Sequence, residues 1–222
     1  MKILITGSAK GIGRSASILF LNKGFEVYGI DLLPSTINDD NYHHFIADIS
    51  QKETLPEIGD LDYIFNNAGL QNCKDDITNN LKGTINVTEK YAFNPNIKSV
   101  LFNASASAHS GFEYPEYVAS KAGMIGYMKN VAVRLAKQGA TANSISLGGV
   151  ITESNKPVMN DQNSWNKIME ATPLKKWASE EEVSEWVYFL LVINKSASGI
   201  DVLIDNGEFN LNSTFVWPNF DK

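Results

Sequence analysis

The chain has 222 residues, 43% hydrophobic and 20% charged, with a formal net charge of −6: enough for one compact domain around a full sheet, and the wrong sign for a nucleic-acid face, since no Lys/Arg cluster offsets it. One cysteine, Cys73, excludes an intramolecular disulfide and a cysteine-rich metal site, and His43, His44 and His109 are too few and too poorly spaced for zinc. No apolar run reaches membrane-spanning length and the first residues run straight into a glycine loop with no room for a signal peptide, so a reducing, cytoplasmic setting and a small-molecule partner are expected.

Ile3-Leu4-Ile5 is a short continuous apolar run, the pattern of a strand buried on both faces of a parallel sheet. Thr6-Gly7-Ser8-Ala9-Lys10-Gly11-Ile12-Gly13 follows, and residues 14–23 read as an amphipathic helix closed by Gly24. In that strand–loop–helix context glycines permit a tight turn, let backbone N–H groups approach a pyrophosphate and aim a helix N-terminus at it. The spacing, GxxxGxG, departs from the common GxGxxG pattern. Residues 25–30 read as the second strand, ending in Asp31 near the ~20-residue distance at which a carboxylate meets an adenosine ribose. Asp31 would accept from the ribose hydroxyls and repel a 2′-phosphate, favouring NAD(H) over NADP(H); Lys10 in the loop pulls weakly the other way.

Residues 44–47 make a third short strand ending in Asp48, a carboxylate placed to accept from an adenine amino group or to cap the segment that follows. Residues 51–59 are too short and too proline-interrupted for a crossover helix. Residues 61–65 form the fourth strand, running into Asn66-Asn67-Ala68-Gly69, where small residues let a ring lie close to the backbone while the amides bond neighbouring strands. Residues 75–93 read as a helix with Asn80 inside it, an unfavourable position by propensity. The fifth strand, residues 100–105, delivers Ser105 or Ser107 just before a helix carrying Tyr117 and Lys121. Four residues apart on a helix, that phenol and ammonium share a face, and the cation is expected to lower the tyrosine pKa toward working pH, making Tyr117 an acid or base.

Residues 142–147 form a sixth strand, continued by Gly148-Gly149-Val150-Ile151-Thr152. Residues 153–172 are polar with scattered Met159, Trp165, Ile168 and Met169, which suits a mobile substrate lid and equally a surface loop. Residues 180–192 read as a helix with an acidic first turn, residues 202–207 as a seventh strand and turn, and the tail carries Phe215, Val216, Trp217 and Phe220. The alternation gives an α/β single domain: a doubly wound parallel sheet of about seven strands, helices on both faces, ligands at the strand C-termini.

Over almost its whole length the chain resembles the short-chain dehydrogenase/reductase family, a Rossmann fold: Thr6 to Gly13 as its TGxxxGxG loop, Asn66 to Gly69 as NNAG, Tyr117 to Lys121 as YxxxK, with Asp31, Asp48, Asn80, Ser105 and Ile204-Asp205-Asn206-Gly207 in order. The resemblance implies a catalytic set of Asn80, Ser105, Tyr117 and Lys121. Tyr117 would protonate a carbonyl oxygen or take an alcohol proton, Lys121 would lower its pKa and hold the nicotinamide ribose, Ser105 would polarise the carbonyl and Asn80 would keep a relay water. It places Gly7, Ser8, Lys10, Gly11, Ile12, Gly13, Asp31, Asp48, Ile49, Asn67, Ala68, Gly69, Tyr117, Lys121, Val150 and Thr152 against the cofactor. Leu147 stands where the family usually has proline, and spacing to Ala108 favours Ser105 over Ser107 as the serine. The expected activity is an NAD(H)-preferring oxidoreductase interconverting a secondary alcohol and a ketone, similar to 3-oxoacyl-carrier-protein reductases. A dinucleotide-binding regulatory or scaffold protein without turnover is the other reading. Leu70, Gln71, His109, Phe112, Tyr114, Met159 and Trp165 are expected near a partly apolar pocket, and a homodimer or homotetramer is implied.

Overall fold

Ile3 and Ile5 enter one apolar layer and Leu4 the other, because successive strand residues point to opposite faces. The computed structural model describes residues 1–211, so Phe215, Val216, Trp217 and Phe220 of the predicted tail lie outside the described residues. The first half runs β1 (Lys2–Thr6), α1 (Gly11–Asn22), β2 (Glu26–Asp31), β3 (Tyr42–Ile46), β4 (Tyr63–Asn66), then a π-helical stretch (Ile77–Lys82) that continues as α2 (Gly83–Tyr91). The second half runs β5 (Ser99–Asn103), α3 (Ser107–Ser110), α4 (Pro115–Leu135), β6 (Thr141–Leu147), β7 (Val150–Ile151), α5 (Lys156–Asn160), α6 (Gln162–Ala171), β8 (Ala178–Ser179), α7 (Glu180–Tyr188) and β9 (Asp201–Ile204).

The sheet is seven-stranded in the order β3-β2-β1-β4-β5-β6-β9, and every pair in it is parallel. The strand order reverses between β1 and β4, the place where the connections diverge to opposite faces and leave a crevice at the strand C-termini. Ile64, Val100, Phe102 and Ala142 pack under α2 and α4 with Met124, Met128, Val131 and Leu135. Phe65, Leu101 and Ile145 pack on the other side with Phe20 of α1 and Val183 and Val187 of α7. Full burial of each such side chain contributes roughly 1.5–3 kcal/mol, so both layers hold the crevice floor rigid. The doubly wound arrangement expected from the sequence is the one found.

Where elements differ from expectation, tertiary contacts explain it. The third strand begins at Tyr42 rather than residue 44, because pairing with β2 starts at Val27↔Tyr42 and the Tyr42 hydroxyl donates to Ser8 Oγ at 3.0 Å. Residues 51–59 hold only a 3₁₀ turn, Lys52–Thr54, as their length demanded. Residues 153–172 are largely helical, α6 being capped by Asp161, whose carboxylate accepts from the Ser164 N–H at 3.2 Å. α7 starts with a capping box of Ser179 and Glu182 and passes into a π-helical stretch, Phe189–Ile193.

The first turn of α1 crosses β1 so closely that a Cβ at Gly13 would collide with the Gly7 carbonyl oxygen and come within 2.7 Å of Asn67 Nδ2. Gly13→Ala is therefore expected to destabilise the chain by about 1–3 kcal/mol, read as a lower denaturant midpoint at unchanged slope. An unaltered midpoint would show that the crossing has room to spare.

Candidate active site

β1 ends in Thr6, whose Oγ1 accepts from the backbone N–H groups of Asn67 and Ala68, each at 3.0 Å. Asn67 Nδ2 donates to the carbonyls of Thr6 and Gly7 at 3.1 and 3.3 Å, and Asn103 Nδ2 donates to Asn67 Oδ1 at 2.9 Å. The amides of the Asn66–Gly69 segment thus sew β1, β4 and β5 together, the role expected of them. Asn66 Oδ1 and Asn103 Oδ1 are buried without a protein partner; buried polar atoms of this kind are uncommon and concentrate at functional sites.

The glycine loop follows directly. Gly7 has φ +68°, which a side chain rarely adopts, and a Cβ there would lie 2.9 Å from Ala68 Cα. Both constraints fit a turn that brings backbone N–H groups to a pyrophosphate at the start of α1. Asp31 closes β2 beside this loop: its Oδ2 accepts from the Ala9 N–H at 3.0 Å and its Oδ1 from the Leu33 N–H at 2.9 Å. Lys10 is exposed. Among the other residues expected at the cofactor, Ser8 is fully buried and bonded to Tyr42, Gly13 faces Gly7, and Ile49 covers Gly83. Asp48 accepts from the Ser50 N–H and Gln51 Nε2 at 2.9 and 3.2 Å, the capping alternative. Val150 is buried and pairs with Ala178. Thr152 lines a cleft of about 340 Å³ with Ile151, Lys156, Met159, Ser179 and Glu180.

Lys121 and Tyr117 share one face of α4. Lys121 is 4% exposed; its Nζ donates to the Asn103 carbonyl at 2.7 Å and lies 5.7 Å from the centroid of the Tyr117 ring. Gly69 adjoins both neighbours, since a Cβ on it would stand 3.3 Å from Lys121 Nζ and 3.3 Å from Asn80 Oδ1. Asn80 lies in the π-helical stretch, a feature frequent at functional sites. Its Oδ1 accepts from the Leu70 N–H at 2.7 Å, while its Nδ2 donates to the Leu70 carbonyl at 2.8 Å and to Ser120 Oγ at 3.1 Å. Ser105 and Ser107 are both buried, and Ser107 Oγ donates to Ser105 Oγ at 2.8 Å. Ser105 is the one that bears on the Tyr117 phenol.

The electrostatics overturn one expectation. Tyr117 is not depressed: burial pushes its phenol up to about 12, with hydrogen bonding to Ser105 opposing and the carboxylates Glu113 and Asp76 adding to the rise. Burial lowers Lys121 to about 8 against the pull of the same two carboxylates. Removal from water disfavours the charged form of each, and here it outweighs the attraction between them. His109, expected near the pocket, has its Nε2 2.7 Å from Asp201 Oδ2 and 3.2 Å from Ser146 Oγ, which ties α3 to the sheet. Leu70, Phe112 and Tyr114 are exposed, as a crevice lip requires, and Trp165 meets Trp177 edge-on at 5.0 Å. Sequence reasoning missed Asp76, which is buried and bonded to the N–H groups of Asn72 and Cys73 at 3.1 Å each, and Glu113. Glu113 carried a readable signal only in hindsight, next to Gly111 in a loop that needs positive φ.

Residues 7–208 match the family model described as Enoyl-(Acyl carrier protein) reductase, a span that includes every element just described except β1. The chain is a short-chain dehydrogenase/reductase. Members of this family are NAD(P)-dependent enzymes acting on CH–OH groups. The 3-oxoacyl-[acyl-carrier-protein] reductase FabG of Staphylococcus epidermidis is 26% identical over 222 aligned residues, covering 84% of this chain and 89% of the relative. A structure of a 4-hydroxyisoleucine dehydrogenase mutant complexed with NADH and succinate superposes with a TM-score of 0.85 at 23% identity, covering 94% of this chain and 98% of that one. A putative 2-deoxy-D-gluconate 3-dehydrogenase from Agrobacterium tumefaciens with bound NADP gives 0.83 at 22%, covering 93% and 95%. Among the described residues of this short-chain dehydrogenase/reductase no helix is long and apolar enough to cross a membrane.

Asn80→Ala would leave the N–H and carbonyl of Leu70 without their side-chain partners, each lost bond costing about 0.5–1.5 kcal/mol. The expected result is a lowered melting temperature with faster amide exchange confined first to residues 69–73. Unchanged exchange there would show that Asn80 does not pin this wall.

Proposed function

We propose that the enzyme moves a hydride between NAD(H) and a secondary alcohol or its ketone, with Tyr117, Ser105, Lys121 and Asn80 as the working set. The observation that carries this reading is the burial of Lys121 between the Tyr117 ring and the Asn103 carbonyl, beside a glycine that leaves backbone accessible. When bound, the nicotinamide supplies or accepts the hydride. Tyr117 gives its proton to the carbonyl oxygen in reduction and takes the hydroxyl proton in oxidation; Ser105, adjoining the phenol, orients that oxygen. Lys121 holds the ribose and supplies positive charge beside the phenol. Asn80 has its side-chain amide engaged by Leu70 and Ser120, which gives the holding of a relay water to its backbone carbonyl.

Asp31 supports NAD(H) over NADP(H): its carboxylate is anchored by two backbone N–H groups where a 2′-phosphate would stand. The exposed Leu70, Phe112 and Tyr114 favour a partly apolar substrate, which with the FabG relative makes 3-oxoacyl thioesters the first class to assay. α5 and α6 would serve as a lid over the substrate, and the family resemblance makes the helices beginning near residues 75 and 115 the surface for a second copy.

A panel of ketones and alcohols assayed with both cofactors tests the reading. Tyr117→Phe is expected to lower turnover at least 10³-fold, on the order of what general acid–base groups contribute, with cofactor binding retained. Binding of dinucleotide with no turnover across the panel would favour a scaffold instead. The pH dependence has a fixed sign. With the phenol near 12, reduction finds Tyr117 protonated throughout the neutral range, while oxidation needs phenolate, which grows about tenfold per pH unit. Lys121 loses its charge above about 8. Oxidation should therefore climb between pH 7 and its alkaline limit, while reduction stays level and then falls above about 8; parallel profiles for the two directions would contradict the assignment.

A further inference from the structure

We infer that Trp177 is a positioning residue: its indole braces the loop Gly148–Thr152, against which the nicotinamide end of the cofactor would lie. The inference rests on the proposed function, in which Asp31 after β2 takes the adenosine and the glycine loop after β1 the pyrophosphate. In the sheet order β3-β2-β1-β4-β5-β6-β9 the nicotinamide end then falls by β5 and β6. There the carbonyl of Leu147, the last residue of β6, accepts from the Ala106 N–H at 2.8 Å, next to Ser105, and Thr152 lines the cleft of about 340 Å³.

This loop opens on two successive glycines, Gly148 and Gly149, and no proline fixes its backbone. Glycine gives up the most freedom when it is ordered, so such a loop takes its shape from what packs on it. Gly148 rests on the turn after β9: its N–H donates to the Ile204 carbonyl at 2.9 Å, and a Cβ on it would stand 2.9 Å from Asp205 Cα. Gly149 rests on Trp177. A Cβ there would collide with Cε2 and Nε1 of the indole, while Gly149 has no positive φ. The ring, and not the backbone angle, is therefore what excludes a side chain.

Trp177 is itself held firmly. It is buried, and its Nε1 donates to Glu208 Oε2 at 3.3 Å, the kind of partner that a buried indole N–H needs. Glu208 is set by the same turn that backs Gly148. The Asp205 carboxylate accepts from the N–H groups of Gly207, Phe209 and Asn210 at 2.9, 2.9 and 3.1 Å, and the Asp205 carbonyl accepts from that of Glu208 at 3.0 Å. Ala178, the residue after the tryptophan, donates its N–H to the Gly149 carbonyl at 3.3 Å and pairs with Val150. Trp165 brings α6 onto the same indole. The segment Ile204-Asp205-Asn206-Gly207, to which the proposed chemistry gives no part, thus seats the brace. A loop already shaped spares the cofactor the work of ordering it, so the brace acts on the nicotinamide half and not on the adenosine half.

The test compares, on the full chain, binding of NADH, followed by the emission of its reduced nicotinamide, with binding of ADP-ribose, which has the adenosine and pyrophosphate but no nicotinamide, followed by calorimetry. Trp177→Ala is expected to weaken NADH about tenfold, the scale of ordering one loop residue anew, and to leave ADP-ribose within about twofold of wild type. Gly149→Ala, which keeps the indole but pushes it off the loop, is a second, milder disruption and should give the same selective loss. Added to Trp177→Ala, where its methyl group has room, it should change little further. Equal losses for NADH and ADP-ribose would mean a merely structural role and overturn the inference, as would wild-type NADH binding by Gly149→Ala with Trp177 in place. The selective loss in these variants, together with a wild type that turns over no ketone, would sink the proposed reaction and leave the brace standing.

Discussion

An ammonium that has lost almost all contact with water must be matched by its surroundings, and the position of Lys121 organises the rest of this molecule. Its Nζ bonds the carbonyl of Asn103, the last residue of β5, so the strand has to stop there and the chain has to turn. α4 must cross above that turn in the one rotation that puts Tyr117 and Lys121 on the same face. A Cβ on Gly69 would press on Nζ at 3.3 Å. Compensation for the buried charge comes from Asp76 and Glu113 acting from opposite walls, which ties the loop after β4 and the loop before α4 to the same lysine.

The crevice floor is made to suit. Thr6, Asn67 and Asn103 exchange hydrogen bonds across β1, β4 and β5, and such a polar network is rigid only if its members are mutually satisfied. The two amide oxygens left unpaired, on Asn66 and Asn103, lie in the same region, where stability gives way to function. Asn80 extends the network to the wall by holding both backbone groups of Leu70. Asn80 is the buried residue of the π-helical stretch Ile77–Lys82, a geometry frequent at functional sites.

Much of this was legible because it is written in local pattern. Strands buried on both faces show as unbroken apolar runs, the glycine loop follows the first of them, and Tyr117 and Lys121 stand one helical turn apart. What was not legible depends on contacts between distant segments. No periodicity announces the π-helical stretch, since it is fixed by which carbonyl each N–H finds. Residues 153–172 look irregular in sequence because their helices are short and polar, though Asp161 and Ser164 are spaced as a cap. The partner of His109 is Asp201, 92 positions away, which no local pattern announces. The direction of the Tyr117 shift was misjudged for a related reason: sequence gives the neighbouring cation but not the depth at which the phenol is buried.

That misjudgement bears on the chemistry. With the phenol raised to about 12 and the amine lowered to about 8, the phenol is neutral and the amine still mostly protonated near neutral pH, and a neutral phenol is the form that protonates a carbonyl. In the proposed chemistry the oxidative sense then needs either alkaline pH or added positive charge close to the ring. Two carboxylates, Glu113 and Asp76, raise the phenol further. A site built for oxidation alone would gain by losing them. In the proposed chemistry their effect is to keep a proton on Tyr117 until a carbonyl oxygen arrives to take it.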